Sequence, residues 1–314
     1  MAEQQQHNHL PKLLVLGLSP VFRFHEQKFA QRFEILKAWE TPIFTEEFQA
    51  SHAPHVQAML CWGGTPVAAE QLSHLPAIRL VVTSSTGVNH IDLRECRRRG
   101  IAVANSGNVY AQDVADTAVG LLIDVLRRIS AADRLSITYS LAGKRVGIIG
   151  LGNIGQEVAK RLEAFGCIIS YNSRKKKPSF PFPFYLDVCD LAANCDILVI
   201  CCALTDQTHH MINKEVLLAL GKEGVVVNIA RGAIIDEKAF VQCLVQGDIA
   251  GAGLDVFECE PNVPKDLLEL DNVVLSPHRA VFTEESFLDC FEHISGNLEA
   301  FFSNKPLLSP VIED

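Results

Sequence analysis

Three glycines, at positions 150, 152 and 155, stand between a short apolar segment and a helix-like stretch. The apolar segment, Val146–Ile149, has the length of a buried strand, and Gln156–Phe165 has helical spacing. In such a unit the first glycine permits a tight turn, the second lets backbone amides approach a pyrophosphate, and the third lets helix and strand pack closely. The helix then turns its free N–H groups toward the phosphates. The pattern predicts a dinucleotide site, and the alternative is a glycine turn without a ligand.

Short apolar segments alternate with helix-like stretches along the whole chain, which is typical of βαβ units and parallel sheets. The near-continuous hydrophobicity of the later segments suits strands that are covered on both faces of a sheet. The predicted fold class is therefore α/β, with two doubly wound parallel-sheet domains. The predicted strands are Lys12–Leu18, Val56–Trp62, Arg79–Ser84, Ile101–Ala104, Val146–Ile149, Cys167–Tyr171, Asp196–Cys202, Val225–Ile229, Gly251–Val256 and Val273–Leu275.

Length and charge exclude several classes of protein. At 314 residues the chain is long enough for two domains, and it carries 28 Lys and Arg against 37 Asp and Glu. The net charge of −9 argues against a general nucleic-acid binder, which needs a basic face. No apolar run is long enough to span a bilayer, so we expect no membrane association. The polar start Met1–His9 does not resemble a signal peptide, and the ten cysteines lack C-x-x-C spacing, so we expect a cytoplasmic protein with reduced thiols.

The segment after the second strand of the glycine unit indicates which dinucleotide binds. NAD sites usually place an acid there to accept a hydrogen bond from the ribose 2′-hydroxyl. Here residues 171–177 read Tyr-Asn-Ser-Arg-Lys-Lys-Lys, without an acid. A 2′-phosphate would be repelled by a carboxylate and held by a guanidinium and a hydroxyl. We therefore predict NADP(H) as the cofactor, with Ser173, Arg174 and Lys175 as its clamp, and the alternative is a solvated basic loop.

Three ionisable side chains follow consecutive predicted strands of the same half of the chain. Arg231 follows one strand, Glu260 the next and His278 the third. Ligands of open α/β sheets bind outside the carboxyl ends of strands, so these side chains could converge there. A guanidinium can hold a carboxylate, and an imidazolium oriented by a carboxylate can donate a proton to a keto oxygen. Taken singly, each could be a surface or loop residue, and Glu258 competes with Glu260 for the acidic role.

Other histidines do not predict a metal site. The pairs His52 with His55 and His209 with His210 lack an evident acidic or cysteine companion in the sequence. We therefore expect no bound metal.

The motifs together resemble the D-isomer-specific 2-hydroxyacid dehydrogenase family. The resemblance runs from about residue 12 to the end and, within the family, is to the plant NADPH-dependent glyoxylate/hydroxypyruvate reductases. The matching motifs are S-T-G-V-N-H-I-D-L at 85–93, G-L-G-N-I-G at 150–155, I-S-Y-N-S-R-K-K-K-P at 169–178, N-I-A-R-G at 228–232, G-L-D-V-F-E-C-E-P at 253–261, S-P-H-R-A at 276–280 and F-F-S-N-K-P-L-L-S-P-V at 301–311.

The resemblance implies a role for each matching residue. Arg231 corresponds to the substrate-binding arginine, Glu260 to the acid paired with the catalytic histidine, and His278 to that histidine. The substrate carboxylate would lie in the backbone cradle of Thr86, Gly87 and Val88. The cofactor would contact Leu151, Gly152, Asn153, Ile154 and Gly155 at its pyrophosphate, and Ile229, Ala230 and Asp255 at its nicotinamide.

The resemblance also implies an organisation and an activity. Residues 1–104 with 285–314 would form a flavodoxin-like substrate domain, and 105–284 a Rossmann-type NADP domain. A long helix near 113–129 would link them and mediate a homodimer. The implied reaction is NADPH-dependent reduction of hydroxypyruvate or glyoxylate, small 2-keto acids, to D-glycerate or glycolate, with a role in photorespiration. The alternatives are a larger, aromatic 2-keto acid, or a non-catalytic dinucleotide-binding scaffold, because the connector 134–143 is short and lacks the tryptophan of related reductases.

Overall fold

The computed structural model describes residues 10–130 and 138–311. The chain divides into two compact units. One comprises the described residues up to Tyr110 and those from Thr283 onward, and the other runs from Ala111 to Phe282. The predicted boundaries at 104/105 and 284/285 lie close to this division. Residues 134–137 of the short connector are outside the described residues.

The first unit contains a sheet of five parallel strands. Its order is β2-β1-β3-β4-β5, which is the flavodoxin-like arrangement. The three central strands are buried along their whole length except at Lys12, because helices cover both faces. The strands are β1 (Lys12–Val15), β2 (Glu34–Lys37), β3 (Ala58–Cys61), β4 (Leu80–Thr83) and β5 (Ala102–Ala104).

Short capped helices connect these strands. The first helix begins after Ser19, whose Oγ accepts a hydrogen bond of 3.0 Å from the N–H of Phe22, and Pro20 occupies its first turn. The fourth ends at Gly100, whose φ of +66° is the left-handed conformation that glycine favours. The helices are α1 (Pro20–Arg32), α2 (Glu46–Ser51), α3 (Ala69–Ser73) and α4 (Leu93–Arg99), with a 3₁₀ turn at Ala53–His55.

The second unit contains a sheet of seven parallel strands. Its order is β12-β11-β10-β9-β6-β7-β8, which contains the Rossmann order with one further strand at the edge beside β11. The predicted fold class, two doubly wound parallel-sheet domains, is confirmed. The strands are β6 (Arg145–Ile149), β7 (Ile168–Asn172), β8 (Phe184–Tyr185), β9 (Ile197–Ile200), β10 (Val225–Asn228), β11 (Gly251–Leu254) and β12 (Val273–Leu275).

Small residues on β11 let a long helix lie against this sheet. A Cβ atom on Gly253 would lie 3.0 Å from the Cβ of Leu121, and one on Gly251 would lie 3.1 Å from Cγ1 of Val125. Both partners belong to α5, the helix that begins the second unit. The helices of this unit are α5 (Ala111–Arg127), α6 (Asn153–Ala164), α7 (Val188–Ala193), α8 (Lys214–Leu220), α9 (Glu237–Gln246) and α10 (Lys265–Glu269), with a 3₁₀ turn at Gly232–Ile234.

The last helix, α11 (Glu284–Phe302), returns the chain to the first unit. It packs against α1, where Phe29 and Phe291 meet edge to face with ring centroids 4.8 Å apart. Thr283 caps its start, because its Oγ1 accepts a hydrogen bond from the N–H of Ser286. Within the described ranges, no helix combines the length and the apolar character needed to cross a membrane.

Candidate functional site

The glycine loop has the geometry of a pyrophosphate cradle. Gly150 has a φ of +95°, and a Cβ there would lie 2.6 Å from the backbone of Cys202. A Cβ on Gly155 would overlap the carbonyl oxygen of Gly150, so this glycine lets α6 approach β6. Among the described residues, nothing lies within 4 Å of a Cβ on Gly152, and no described side chain caps the start of α6 there. The open backbone N–H groups of the first helical turn therefore fit a diphosphate.

The residues between these glycines differ in exposure. Leu151 is buried, Gly152 and Asn153 are exposed, and Ile154 is half-buried. The exposed backbone at 152–153 is the part of the loop that can meet a phosphate.

The basic segment begins where β7 ends, at Asn172. The Asn172 amide donates hydrogen bonds to the carbonyl oxygens of Tyr185 and Leu186, so it holds the neighbouring strand. The Ser173 hydroxyl donates to the carbonyl oxygen of Lys175 at 2.7 Å, which curls the segment. Arg174 and Lys175 are exposed. Ser173 would thus have to turn its proton from Lys175 to donate to a phosphate, while the exposed Arg174 and Lys175 place two positive charges on the same segment.

Asn228, the last residue of β10, shapes the turn that carries Arg231. Its side-chain oxygen accepts from the N–H of Ala230 at 3.0 Å, and its amide donates to the carbonyl oxygen of Arg231 at 3.0 Å. Gly232 follows, and a Cβ there would overlap the backbone of Phe257. The Arg231 turn and the segment after β11 therefore touch through their backbones, which brings Arg231 into electrostatic interaction with Glu260.

His278 and Glu260 form a hydrogen-bonded pair. Nδ1 of His278 lies 2.7 Å from Oε2 of Glu260, and the other carboxylate oxygen accepts from the N–H of Phe257 at 3.0 Å. The imidazole side chain is 44% exposed, so it is accessible to a ligand. His278 has a φ of +55°, which is uncommon for a residue with a side chain and is held by its surroundings.

Asp255, which is 1% exposed, supplies much of that hold. One carboxylate oxygen accepts from the hydroxyl of Ser276 at 2.5 Å and from the N–H of Arg279 at 2.8 Å, and the other accepts from the N–H of Ala280 at 3.1 Å. The N–H of His278 donates to the carbonyl oxygen of Asp255. The resemblance implies that Asp255 lines the nicotinamide pocket, which stays a prediction, and in the structure these bonds make its carboxylate an anchor of the loop that carries His278. Ile229 and Ala230, the other predicted lining residues, are buried at the end of β10.

Burial and neighbouring charges shift two pKa values in this cluster. Burial lowers the pKa of the Arg231 guanidinium, and the nearby charge of Glu260 opposes part of this effect. Burial raises the pKa of Glu260, but the hydrogen bonds from His278 and from the Phe257 N–H, together with the nearby charges of His278 and Arg231, outweigh it, so that the pKa falls below its ordinary value. Glu260 is therefore ionised at neutral pH.

The predicted carboxylate cradle, Thr86 to Val88, follows β4 in the first unit. Two side chains after β5 fix it: Asn105 donates to the carbonyl oxygen of Thr86 at 2.8 Å, and the hydroxyls of Thr86 and Ser106 lie 3.0 Å apart. Gly87 and Val88 are half-buried. The sequence did not single out Asn105 or Ser106, although both follow a predicted strand end, which is the signal that could have found them.

The two candidate acids have separate partners. Glu260 bonds His278, while Oε1 of Glu258 lies 2.7 Å from Nε2 of His210. The expectation that His209 and His210 lack an acidic companion is therefore wrong, since Glu258 is distant in sequence but adjacent in the fold.

Comparison with known proteins identifies the chain's relatives. Residues 119–280 match the family described as D-isomer specific 2-hydroxyacid dehydrogenase, NAD binding domain. The chain is 50% identical to glyoxylate/hydroxypyruvate reductase HPR3 of Arabidopsis thaliana, over 99% of each chain. It is 44% identical to hydroxyphenylpyruvate reductase of Plectranthus scutellarioides, over 95% of this chain and 98% of the relative.

A solved structure has the same fold. The NADPH-dependent glyoxylate/hydroxypyruvate reductase of Sinorhizobium meliloti, solved with NADP and malonate, superposes with a TM-score of 0.86 at 32% identity. The match covers 96% of this chain and 96% of that one.

Proposed function

Because the chain belongs to the D-isomer-specific 2-hydroxyacid dehydrogenase family, we propose that it reduces hydroxypyruvate or glyoxylate to D-glycerate or glycolate with NADPH. Reduction of 2-keto acids is the activity that its reductase relatives share by name. The observation that carries the proposal is the His278–Glu260 pair beside Arg231 in the unit that holds the glycine loop.

Each residue of the cluster has one task in the proposed reaction. Bound NADPH supplies the hydride that reduces the keto carbon. Arg231 holds the 2-keto acid through its carboxylate and keto oxygens, which a planar guanidinium can bind with two parallel hydrogen bonds. His278 donates a proton to the keto oxygen, so that the alkoxide never accumulates. Since Nδ1 faces Glu260, Nε2 is the ring nitrogen for this transfer. Glu260 stabilises the imidazolium before the proton leaves.

The remaining predicted residues bind the two ligands. The Thr86–Val88 backbone receives the substrate carboxylate, and the loop from Leu151 to Gly155 receives the pyrophosphate. The hydrophobic end of β10, at Ile229 and Ala230, borders the nicotinamide.

A comparison of three substrates tests the reaction. The purified chain is mixed with NADPH and with glyoxylate, hydroxypyruvate or hydroxyphenylpyruvate, and the near-ultraviolet absorbance of NADPH is followed. We expect turnover of the two small acids. A folded sample that binds NADPH and turns over none of the three would overturn the proposal.

An aromatic 2-keto acid is the second candidate substrate. The 44% identity to a hydroxyphenylpyruvate reductase favours it. A kcat/KM for hydroxyphenylpyruvate above those of both small acids would make it the substrate.

A non-catalytic scaffold is the other alternative, and the short 134–143 connector favours it. The alignment with HPR3 spans 324 residues, ten more than this chain has, so the relative contains positions that are missing here. A scaffold would bind the dinucleotide tightly without turnover in the same assay.

The basic segment after β7 predicts a preference for NADPH over NADH. Arg174→Asp places a negative charge where the 2′-phosphate is expected and removes a charged hydrogen bond. We expect the ratio of kcat/KM for NADPH to that for NADH to fall roughly 10- to 100-fold, since a hydrogen bond to a charged group contributes about 1.5–3 kcal/mol. Lys176→Asp, the matched control, makes the same charge change on an exposed neighbour outside the clamp and should move the ratio far less. Equal effects of the two variants would contradict the clamp.

Glu260→Gln should change the pH dependence of the reduction. The lowered pKa of Glu260 means that its charge is present from neutral pH down to below the ordinary glutamate range, and is lost as the pH falls through that lowered value. Glutamine is nearly isosteric but carries no charge at any pH, so the imidazolium of His278 loses its counter-charge. We expect the alkaline limb of the profile of kcat/KM against pH to shift to a lower pH by about one unit or more. Glu269→Gln, at an exposed position on α10, is the control, and an unmoved limb in Glu260→Gln would refute the pairing.

We also propose a cytoplasmic homodimer with a photorespiratory role. All ten cysteines lie in the described ranges and none forms a disulfide there, which supports a reducing compartment. The apolar α5 is the proposed dimer helix, and sedimentation analysis of the purified chain tests the association.

A further inference from the structure

Two adjacent histidines stack on one another at the edge of the second unit. The rings of His209 and His210 lie 4.0 Å apart between centroids at an angle of 28°. The turn that carries them is fixed, because the N–H of His210 donates to the carbonyl oxygen of Ala233 at 2.9 Å, and His210 has a φ of +52°. The structure therefore presents two imidazoles on one fixed turn.

Glu258 approaches this pair from the segment after β11. Its Oε1 lies 2.7 Å from Nε2 of His210, and its own N–H donates to Oε2 of Glu237 at 3.0 Å. Two carboxylates and two imidazoles thus share one corner of the molecule. One ligand atom each from His209, His210 and Glu258 lies within 4.8 Å of the other two.

We propose that His209, His210 and Glu258 bind a divalent transition-metal ion, with Zn²⁺ as the probe. Imidazole nitrogens favour zinc and its neighbours in the first transition row, whereas Mg²⁺ and Ca²⁺ prefer oxygen-only sites. Zinc holds its nitrogen and oxygen ligands at about 2.0–2.2 Å, so tetrahedral ligand atoms stand roughly 3.3 Å apart. His209 is exposed, so its side chain can turn toward the other two ligands and shorten the present spacing of up to 4.8 Å to the spacing that zinc requires. A water molecule would complete the four ligands.

The site adjoins the catalytic segment. Glu258 precedes Glu260 by two residues, and the backbone between them includes only Cys259. A metal would replace the hydrogen bond between His210 and Glu258 with two coordinate bonds and would reposition this segment. Bound metal should therefore slow the reduction; this consequence, unlike the binding itself, rests on the proposed function.

Metal titration of the full chain, prepared without an affinity tag, tests the binding. Zn²⁺ is titrated in competition with a chromophoric chelator into the wild type, His209→Ala and Glu258→Gln. His55→Ala, which removes an exposed histidine of the first unit, is the matched control. We expect the control to bind as the wild type does. Each ligand variant should bind one Zn²⁺ at least about tenfold more weakly, since even outer-shell partners cost 10–100-fold.

Co²⁺ provides a second readout that does not depend on turnover. Three protein ligands and a water should give intense visible bands typical of four-coordinate cobalt in the wild type and in His55→Ala, and these bands should be absent in His209→Ala. Equal Zn²⁺ affinity and equal Co²⁺ spectra in the wild type and His209→Ala would overturn the proposal. Inhibition of turnover by Zn²⁺ is then measured separately, so that an inactive chain that binds zinc contradicts the proposed function and leaves the site intact.

Discussion

Replacing His278 with alanine should lower kcat for the reduction of the 2-keto acid by about 10²–10⁴-fold, the contribution of a positioned general acid. In the proposed reaction the imidazole donates the proton, and in the described structure Glu260 holds its Nδ1 at 2.7 Å, which leaves Nε2 for the transfer. Steady-state kinetics at saturating NADPH measure the effect, and cofactor fluorescence shows that NADPH still binds.

The left-handed backbone of His278 requires a second variant. Alanine at a φ of +55° adds strain that could loosen the loop and lower kcat for a structural reason. Asparagine tolerates this conformation well but cannot act as the acid, so His278→Asn should lose a similar part of the rate while the loop stays in place. His55→Ala is the control for loss of an exposed histidine. A rate within tenfold of the wild type in His278→Asn would show that His278 is not the donor.

Replacing Arg231 with lysine should have the second largest effect. The positive charge remains, but an ammonium group cannot make two parallel hydrogen bonds to a 2-keto acid. We expect kcat/KM for the keto acid to fall by about 10²–10³-fold, the range measured when one donor to a developing oxyanion is removed. Most of the loss should appear in kcat if the guanidinium binds the keto oxygen, and in KM if it binds only the carboxylate.

Binding of NADPH separates this role from a structural one. Arg231 also donates from Nη1 to the carbonyl oxygen of Ala230 at 2.6 Å, beside the predicted nicotinamide. An unchanged Kd for NADPH in Arg231→Lys would show that the β10 turn is intact, and Arg94→Lys, at an exposed position of the first unit, is the control. If Arg231→Lys retained the wild-type kcat/KM, the proposed contact with the substrate would be wrong.

The sequence predicted the central strands, because buried parallel strands are continuously apolar. It missed β2 and β8. Both lie at sheet edges and are half-exposed or exposed, so their residues carry no continuous apolar signal. Several predicted strands were also too long, since apolar residues continue past the last paired residue of the strand, as at Cys201 and Cys202 beyond Ile200.

The sequence also predicted part of the candidate site. Arg231, Glu260 and His278 were found because each follows a strand, and parallel strands end at one edge. The sequence did not predict which distant segments are in contact with each other. The carboxylate of Asp255 holds a loop more than twenty residues away, and Glu258 meets His210 across 48 residues. The parallel pairing of β9, β10, β11 and β12 brings these partners together.

The division of the chain into two units has a consequence for how substitutions could change its substrate specificity. The proposed proton donor, its acid and the guanidinium all belong to the second unit, whereas the proposed Thr86–Val88 cradle, which Asn105 and Ser106 contact, belongs to the first. Substitutions that reshape the first unit leave the reacting groups untouched. A mutant library confined to the loops after β3, β4 and β5 should therefore yield variants that accept different 2-keto acids while retaining the same chemistry.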